Sequence, residues 1–277
     1  MAATCAVLVV AGSRAAEAQD WTGFYAGATV GGALQSTDDS ERVGFDTNLD
    51  GTFGDVVRTA AGADAFAPGF CGGLAVGPMA AAGCTDDQEG IDFGGRVGYD
   101  RQFGPLVLGA LIDVSRTDVT DSVTAFSVTP AFYSFTRELN YVAGLRGRAG
   151  VGAGRVLLYG TGGAAVGDVE QRFTTSNIVN TFVAPDDDMG DDDAGASERV
   201  WGYQAGGGLE IKVGERWSLT GEYLFSSLDN RDDSVIRARG PAPATNPFIL
   251  TNTGGTDFRR SEKFKFQTVR VGLSYRF

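Results

Sequence analysis

Short stretches in which apolar and polar side chains strictly alternate constrain this chain more than any other feature. In the clearest of them, at the C-terminus, one face carries Val269, Val271, Leu273, Tyr275 and Phe277. The opposite face carries Thr268, Arg270, Gly272, Ser274 and Arg276. A period of two residues is typical of β-strands with two different faces. About ten residues is also the length that a tilted strand needs to cross a bilayer.

Segments of this kind recur along the whole chain, with glycine and aromatic residues in nearly all of them. We count eight: Phe24–Leu34, Ile91–Phe103, Leu106–Ser115, Glu138–Gly150, Val156–Glu170, Val200–Lys212, Trp217–Leu228 and Phe264–Phe277. Between them, short and long connections strictly alternate. The short ones are Gly104-Pro105, Gly152 to Arg155 and Val213 to Arg216. The long ones are Gln35 to Gly90, Arg116 to Arg137, Gln171 to Arg199 and Asp229 to Lys263.

This spacing predicts the fold. Tight turns at one end and long loops at the other are typical of outer-membrane barrels, whose turns face the periplasm. We therefore predict an all-β protein: an eight-stranded antiparallel transmembrane up-and-down β-barrel with short periplasmic turns and four long extracellular loops. A soluble sandwich or lipocalin-like barrel is the alternative, but neither requires the regular order of loops. A soluble barrel that binds an apolar ligand would also need a mostly apolar interior.

The N-terminus and the cysteines indicate export. A short apolar block, Cys5 to Gly12, precedes small residues at Ala16 and Ala18, which suit a signal-peptidase site. We predict a signal peptide over residues 1–18 and a barrel domain over 19–277; an ordinary buried N-terminal segment is the alternative. The exported chain then keeps Cys71 and Cys84, for which an oxidising compartment favours a disulfide over two free thiols.

Composition excludes several classes of function. The 277 residues include no histidine, which removes Ser-His-Asp and Cys-His catalysis and histidine-ligated zinc. A net charge of −12 argues against binding the phosphate backbone of nucleic acids. No pattern of carboxylates suggests a hydrolase pair. We therefore expect neither an enzyme nor a cofactor, and no nucleic-acid partner.

The polar faces of the predicted strands collect charges of both signs inside the barrel. These are Asp92, Arg96, Asp100, Asp113, Glu138, Arg146, Arg148, Glu210, Lys212, Glu222, Arg270 and Arg276. The interior of eight strands is only wide enough for side chains to fill it. Charges held there need partners that offset their desolvation. We predict a salt-bridged plug; a narrow, water-lined ion path is the alternative.

The aromatic residues and the long loops lead to further expectations. Tryptophan and tyrosine near strand ends, Trp21, Trp201 and Trp217 among them, are expected to form girdles at the membrane interfaces. The loops are rich in glycine, aspartate and proline, and we expect them to lack a core of their own. The run Asp186 to Asp193 suits a solvated acidic loop better than a calcium site, because its spacing matches no EF-hand.

Several blocks together resemble the small outer-membrane β-barrel family of alphaproteobacterial surface antigens, often called porin-like, which has the eight-stranded architecture of the OmpA-type membrane domain. The blocks are Trp21 to Gly27, Tyr141 to Gly150, Leu158 to Ala165, Trp201 to Leu228 and Val269 to Phe277. The resemblance covers roughly the barrel half of the chain, while the loops are longer and more acidic than is usual in the family. It implies a location in the outer membrane of a Gram-negative cell, among lipid and lipopolysaccharide.

The end of the chain and the expected role follow from this resemblance. Leu273, Tyr275 and Phe277 resemble the terminal signal that the barrel-assembly machinery reads. We expect a structural, surface-exposed protein that contributes to outer-membrane integrity and surface interactions. A porin-like channel for ions or small solutes is the first alternative, and a secreted ligand-binding barrel is the second.

Overall fold

Thirteen strands make up the regular structure of the described residues, together with one turn of 3₁₀ helix at Ala80–Ala82. The computed structural model describes residues 20–35, 41–184, 197–229 and 234–277. The predicted signal peptide and the acidic run Asp186 to Asp193 lie outside these ranges. No helix within them is long and apolar enough to cross a membrane.

Eight long strands form a closed ring. They are β1 (Gly23–Gln35), β4 (Gly90–Phe103), β5 (Leu106–Ser127), β6 (Ala131–Ala153), β7 (Val156–Thr175), β9 (Ser197–Lys212), β10 (Trp217–Leu228) and β13 (Phe264–Arg276). Each pairs antiparallel with its neighbours in the ring, and the pairs β1–β13 and β5–β6 complete it. The predicted eight-stranded antiparallel barrel is therefore confirmed, with the strand order that the sequence indicates.

The outer wall of the ring is apolar, as the alternation requires. Exposed apolar side chains follow one another at every second position, such as Leu106, Leu108, Ile112 and Val114 on β5. On β13 the outward-facing Val269, Val271 and Leu273 are each about half exposed. The residues between them point inward and are buried. The apolar face of each strand thus lies outside the barrel and the polar face lies inside.

Five short strands lie beyond the long-loop end of the ring: β2 (Val43–Asp46), β3 (Gly69–Gly72), β8 (Thr181–Val183), β11 (Ile236–Arg239) and β12 (Thr256–Arg260). Four of them form a second sheet in the order β2-β12-β11-β8, and β3 pairs with the outer part of β5. The connection predicted as a loop from Arg116 to Arg137 is mostly β-structure, because β5 and β6 continue as a ribbon. We call these five strands, with the outer ends of β5 and β6 and their connections, the cap.

The expectation that the long loops lack a core is wrong for the described part of the cap. Its aromatic side chains pack on one another, with Phe258, Phe248, Tyr133 and Phe66 all buried. The rings of Phe248 and Phe258 stack with centroids 5.9 Å apart. These residues are scattered over three connections that each look polar on average. Only the pairing of the short strands brings them together, so composition did not reveal the core.

Two single residues also differ from expectation. Glu138 was predicted inside the barrel but is exposed on the outside. The ladder from β6 to β7 shifts register between Leu139 and Tyr141, and one extra residue reverses the faces of everything beyond it. Trp21, which was assigned to a girdle, is fully buried. Trp201 and Trp217 are 69% and 47% exposed on the outer wall, as a girdle requires.

Candidate functional site: the filled interior

Strand β6 passes through every layer of the interior, so its inward residues describe the site from one end to the other. Starting in the cap, they are Tyr133, Phe135, Arg137, Leu139, Val142, Arg146 and Arg148, all buried. From the cap toward the short turns, these side chains are first aromatic, then charged, then apolar and then charged again. The interior is therefore a stack of four layers, which we call the aromatic core, the neck cluster, the apolar layer and the charged layer.

The charged layer begins near the short turns. Arg148 donates to the Asp100 carboxylate through Nε at 2.8 Å and to Glu210 through Nη1 at 2.8 Å. Arg276 approaches the same two carboxylates, with Nη2 2.9 Å from Asp100 and 3.6 Å from Glu210. The hydroxyl of Ser218 donates to Glu210 Oε1, the oxygen that faces Arg276, at 2.6 Å. Two arginines and two carboxylates thus neutralise each other in a closed set.

The charged layer continues toward the middle of the strands. Arg146 joins Asp113, at 3.0 Å from Nε, to Glu222, at 3.2 Å from Nη2. Arg270 joins Asp113 to Asp92, with distances of 3.0 Å and 2.8 Å. Each of these carboxylates is buried, so each needs the hydrogen bonds that it receives. Because Asp113 is shared, the two arginines form one continuous network.

Arg96 completes this network chiefly through hydroxyl groups. Its Nη2 lies 2.5 Å from Thr220 Oγ1 and 3.0 Å from Ser274 Oγ, whereas the nearest Glu222 oxygen is 4.0 Å from Nη1. Arg96 lies on β4, and its partners lie on two other strands, β10 and β13. The described interior at this level is filled by side chains from opposite walls, as expected for a ring of only eight strands.

The apolar layer lies between the charged layer and the cap. It contains Ala33, Val119, Leu139, Val142, Ala165, Val169, Val200, Leu228, Phe264 and Phe266, all buried. Phe264 and Phe266 directly precede Thr268 and Arg270 on the inward face of β13, which fixes the order of the two layers. A dry apolar plug opposes the passage of ions because it offers them no polar partner.

The neck cluster joins the apolar layer to the cap. Arg260 donates to both oxygens of Glu41, at 3.0 and 2.9 Å, and to Asp121 at 2.9 Å. Arg137 pairs with Asp121 through Nε and donates to the backbone carbonyls of Glu262 and Lys263. Because these residues come from three different connections, the cluster ties the cap to the barrel mouth.

Burial and charge act in opposite directions on the two carboxylates of the neck cluster. Burial raises the pKa of Glu41 above its ordinary value, even though Arg260 opposes that shift. Burial also acts to raise the pKa of Asp121, but the guanidinium groups of Arg137 and Arg260 outweigh it and hold this pKa below the ordinary value. The two arginines therefore favour the ionised form of the Asp121 carboxylate.

The structure brings together most of the charges that the sequence placed inside. Of the twelve charged residues predicted inside the barrel, ten lie in the charged layer, and Glu138 faces outward. Lys212 lies at the short-turn mouth. Sequence reasoning missed the neck cluster, since Asp121, Arg137, Arg260 and Glu41 fall in segments assigned to loops. The alternation of Tyr133, Phe135, Arg137 and Leu139 is a signal that could have revealed Arg137.

Two features of the long connection between β1 and β4 bear on its chemistry. Cys71 and Cys84 are joined by a disulfide, with Cα atoms 6.4 Å apart, beside the pairing of β3 with β5. Asp46, Asn48, Asp50 and Gly51 have the spacing with which calcium loops begin. The Asp46 carboxylate, however, accepts hydrogen bonds from the backbone of Asp50 and Gly51.

No metal is assigned to this turn. The twelfth position of an EF-hand loop holds a bidentate glutamate, whereas the corresponding residue here is the buried Val57. Within the described ranges, no three histidine, cysteine, aspartate or glutamate side chains are grouped to hold a metal ion. The hydrogen bonds inside the turn are sufficient to explain its conformation.

Comparison with known proteins decides what kind of barrel this is. The sequence profile described as "Outer membrane protein beta-barrel domain" matches residues 3–277. The chain belongs to this family. The apolar outer wall is accordingly the lipid-facing surface, and the protein is located in the outer membrane of a Gram-negative cell. The short turns then face the periplasm and the cap faces outward.

Several proteins described as outer-membrane proteins resemble the chain over much of its length. It is 29% identical over 205 residues to the 31 kDa outer-membrane immunogenic protein of Brucella melitensis, covering 71% of this chain and 70% of that protein. It is 28% identical over 159 residues to a 22 kDa outer membrane protein of Rhizobium leguminosarum, covering 56% and 63%. The crystal structure of OprG from Pseudomonas aeruginosa aligns with a TM-score of 0.46, 11% identity and coverage of 92% and 97%.

Proposed function

We propose that this protein is a sealed, structural barrel that contributes to outer-membrane integrity and presents its cap for surface interactions. The observation that supports this most directly is the filling of the interior by charged and apolar layers in series. A diffusion porin needs a continuous aqueous path, whereas the side chains described here pair across the barrel from wall to wall.

Conductance measurements test this proposal. Purified protein in a planar bilayer should show no large, stable channel, and small or rare openings are compatible with the proposal. A matched preparation that is boiled before insertion controls for contaminating porins. Frequent, wide, ohmic openings of the unboiled protein would overturn the sealed barrel in favour of porin-like permeation.

A gel assay tests the stability that a structural role requires. A closed barrel has no free strand edge at which unfolding can begin. Folded protein should therefore resist SDS in the cold and migrate differently after boiling. A chain that stays soluble without detergent and shows no such shift would contradict a structural role in the membrane.

We further propose that the barrel-assembly machinery recognises the last strand. Leu273 and Phe277 point toward lipid, 47% and 76% exposed, and Tyr275 makes edge-to-face contacts with Trp217 and Phe277. Deleting Phe277 should lower the amount of assembled protein in the outer membrane more than it lowers the stability of refolded barrel. Val269→Ala, on the same face of β13, is the control. Unchanged assembly in cells would reduce Phe277 to a lipid-facing aromatic.

The remaining proposed partners are outer-membrane lipid and lipopolysaccharide. One exposed arginine lies beside an aromatic ring at the outer boundary of the apolar wall: the guanidinium carbon of Arg116 is 5.8 Å from the centre of the Tyr141 ring, and its Nε is 3.2 Å from Asp118. Such a pair suits a lipid phosphate at the level of the headgroups. Arg116→Ala should weaken retention of lipopolysaccharide on the purified barrel, while Arg172→Ala, higher in the structure, should not. Equal retention by both variants would contradict this contact.

A further inference from the structure

Trp21 lies inside the periplasmic mouth of the barrel instead of in the lipid-facing girdle. Its side chain is fully buried and packs in a small apolar cluster with Val107, Leu157 and Tyr159. These three residues come from β5 and β7, which begin just after short turns. The indole therefore lies across the mouth at the level of the turns.

Cationic side chains hold the ring in this position. Lys212 Nζ lies 4.7 Å from the centre of the indole ring and the Arg276 guanidinium carbon lies 5.6 Å from it. Both are distances at which a cation is attracted to an aromatic face. Arg276 also binds Asp100, so the ring rests directly on the charged layer.

The backbone around Trp21 is anchored as well. Its N–H donates to Gln102 Oε1 at 2.8 Å, and the guanidinium of Arg276 donates to its carbonyl. Lys212 donates to the carbonyl of Asp20 at 2.6 Å. Gly152 leaves the space that the ring occupies, because a Cβ there would lie only 3.0 Å from the indole Cδ1. The segment before β1 is thus fastened to three sides of the mouth.

We infer that Trp21 is a periplasmic stopper: an apolar side chain from the chain's own N-terminal segment that shuts the charged layer off from the periplasm. The inference rests on the proposed sealed barrel and adds a second barrier in series with the apolar layer at the other end. Removing the stopper admits water and solutes to the charged layer from the periplasm. It does not open a path through the barrel, because the apolar layer remains.

Fluorescence locates the ring. The chain has three tryptophans, so Trp201→Phe with Trp217→Phe leaves Trp21 as the sole reporter. Its emission in a bilayer should be resistant both to acrylamide and to brominated lipid. The reverse variant, Trp21→Phe alone, should be quenched strongly by brominated lipid through Trp201 and Trp217. Quenching of Trp21 by the lipid would place it in the girdle, and quenching by acrylamide would mean an open mouth; either result overturns the stopper.

Thiol labelling tests the barrier itself. Ser218, which is buried beside Glu210, is replaced by cysteine, and folded protein in detergent micelles is treated with a negatively charged methanethiosulfonate reagent. We expect labelling of Ser218→Cys to be slow with Trp21 present and about tenfold or more faster with Trp21→Ala, because thiol reactivity depends on access. Trp217→Ala is the matched control and should leave the rate unchanged. The chain without the new cysteine sets the background.

A conservative variant and the conductance assay distinguish failure of the stopper from failure of the sealed barrel. The indole Nε1 makes no hydrogen bond within the described structure, so Trp21→Phe should retain slow labelling if ring volume provides the seal. Fast labelling with Trp21 in place, or the same rate in Trp21→Ala, would overturn the stopper even if the bilayer shows no channel. Wide channels in the unmodified protein would instead overturn the sealed barrel.

Discussion

The barrel interior and the cap are built from the same alternating strands but fill their interiors with opposite chemistry. Inside the barrel, Arg146, Arg270 and their carboxylates pair across the ring. Inside the cap, Phe258 and its apolar neighbours pack on one another in a largely aromatic core. Strand β6 contributes to both, with Phe135 inward in the cap and Arg146 inward in the barrel. The surroundings, lipid or water, therefore determine which face of a strand turns inward.

The physical reason is the solvent on the other side of the wall. Where lipid surrounds the strands, apolar side chains lose nothing by facing outward, and polar ones must find partners inside. Where water surrounds them, burying apolar area is favourable by about 25 cal/mol per Å². The apolar face of each strand therefore turns inward in the cap. The neck cluster and the apolar layer lie at the transition between the two regimes.

Breaking the charge pairing of the barrel should have the largest effect. Arg270→Ala removes an arginine that pairs with both Asp92 and Asp113. We expect the free energy of unfolding to fall by about 3 to 5 kcal/mol if the site is dry. Urea unfolding of the reconstituted protein measures the loss. Arg172→Ala, an exposed arginine on β7, should cost less than about 1 kcal/mol; equal losses would mean that the network is hydrated.

Breaking the aromatic core should destabilise the cap and leave the barrel intact. Phe258→Ala removes a buried ring that contacts several others, for an expected loss of about 3 to 4 kcal/mol. Limited proteolysis should show cleavage in the cap connections, while the heat-dependent gel shift of the barrel persists. Ile178→Ala, at a cap residue that is 95% exposed, should have no such effect. Loss of the gel shift in Phe258→Ala would show that the two regions fold as one unit.

Replacing both cysteines of the disulfide tests how far the stability of the cap depends on the connection between β1 and β4. Cys71 and Cys84 are 13 residues apart, and closing a loop of that size stabilises the folded state by up to about 3 kcal/mol on the chain-entropy account. We expect Cys71→Ala with Cys84→Ala to lower cap stability by no more than this and leave the barrel gel shift unchanged. Mass spectrometry that finds both thiols free in protein isolated from cells would contradict the pairing.

The smallest expected effect is a pH dependence confined to the cap. Burial, and then the charge of Asp121, raises the pKa of Asp87 from 3.8 to about 6. A raised pKa means that this group stabilises the fold below pH 4 and that the contribution disappears as the pH rises through 6. Because Asp87 is only partly buried, screening reduces the effect to about 1 kcal/mol.

Asp87→Asn should therefore stabilise the cap at pH 7 and flatten its stability between pH 4 and 7. The variant side chain still accepts the hydrogen bond from the Ser122 backbone. Asp118→Asn, an exposed carboxylate on the same ribbon, serves as the control. Proteolysis of the cap at a series of pH values measures the difference. A cap that becomes more stable as the pH rises would contradict the assignment.

Much of the barrel could be read from the sequence because the alternation is local. The strand Trp217–Leu228 has the same bounds in the prediction and in the structure. The inward charges of β13 follow from their position at every second residue, which we call their parity. Glu138 could not be placed in this way. Parity predicts a face only while the ladder keeps its register, and the shift near Asn140 depends on the neighbouring strands. Trp21 was misplaced because its residue type suits both an interface and an apolar plug.

The sequence by itself determined the number, order and facing of the membrane strands, since each ten-residue segment records in its own alternation that one side meets lipid. It also determined which charges of the barrel wall turn inward, with the exception of Glu138. Only the tertiary structure decided which of those charges pair, that the polar-looking connections share an aromatic core, and that an N-terminal tryptophan lies in the periplasmic mouth. Those features depend on contacts between residues far apart in the chain, such as Arg260 with Glu41, and no local pattern encodes such a contact.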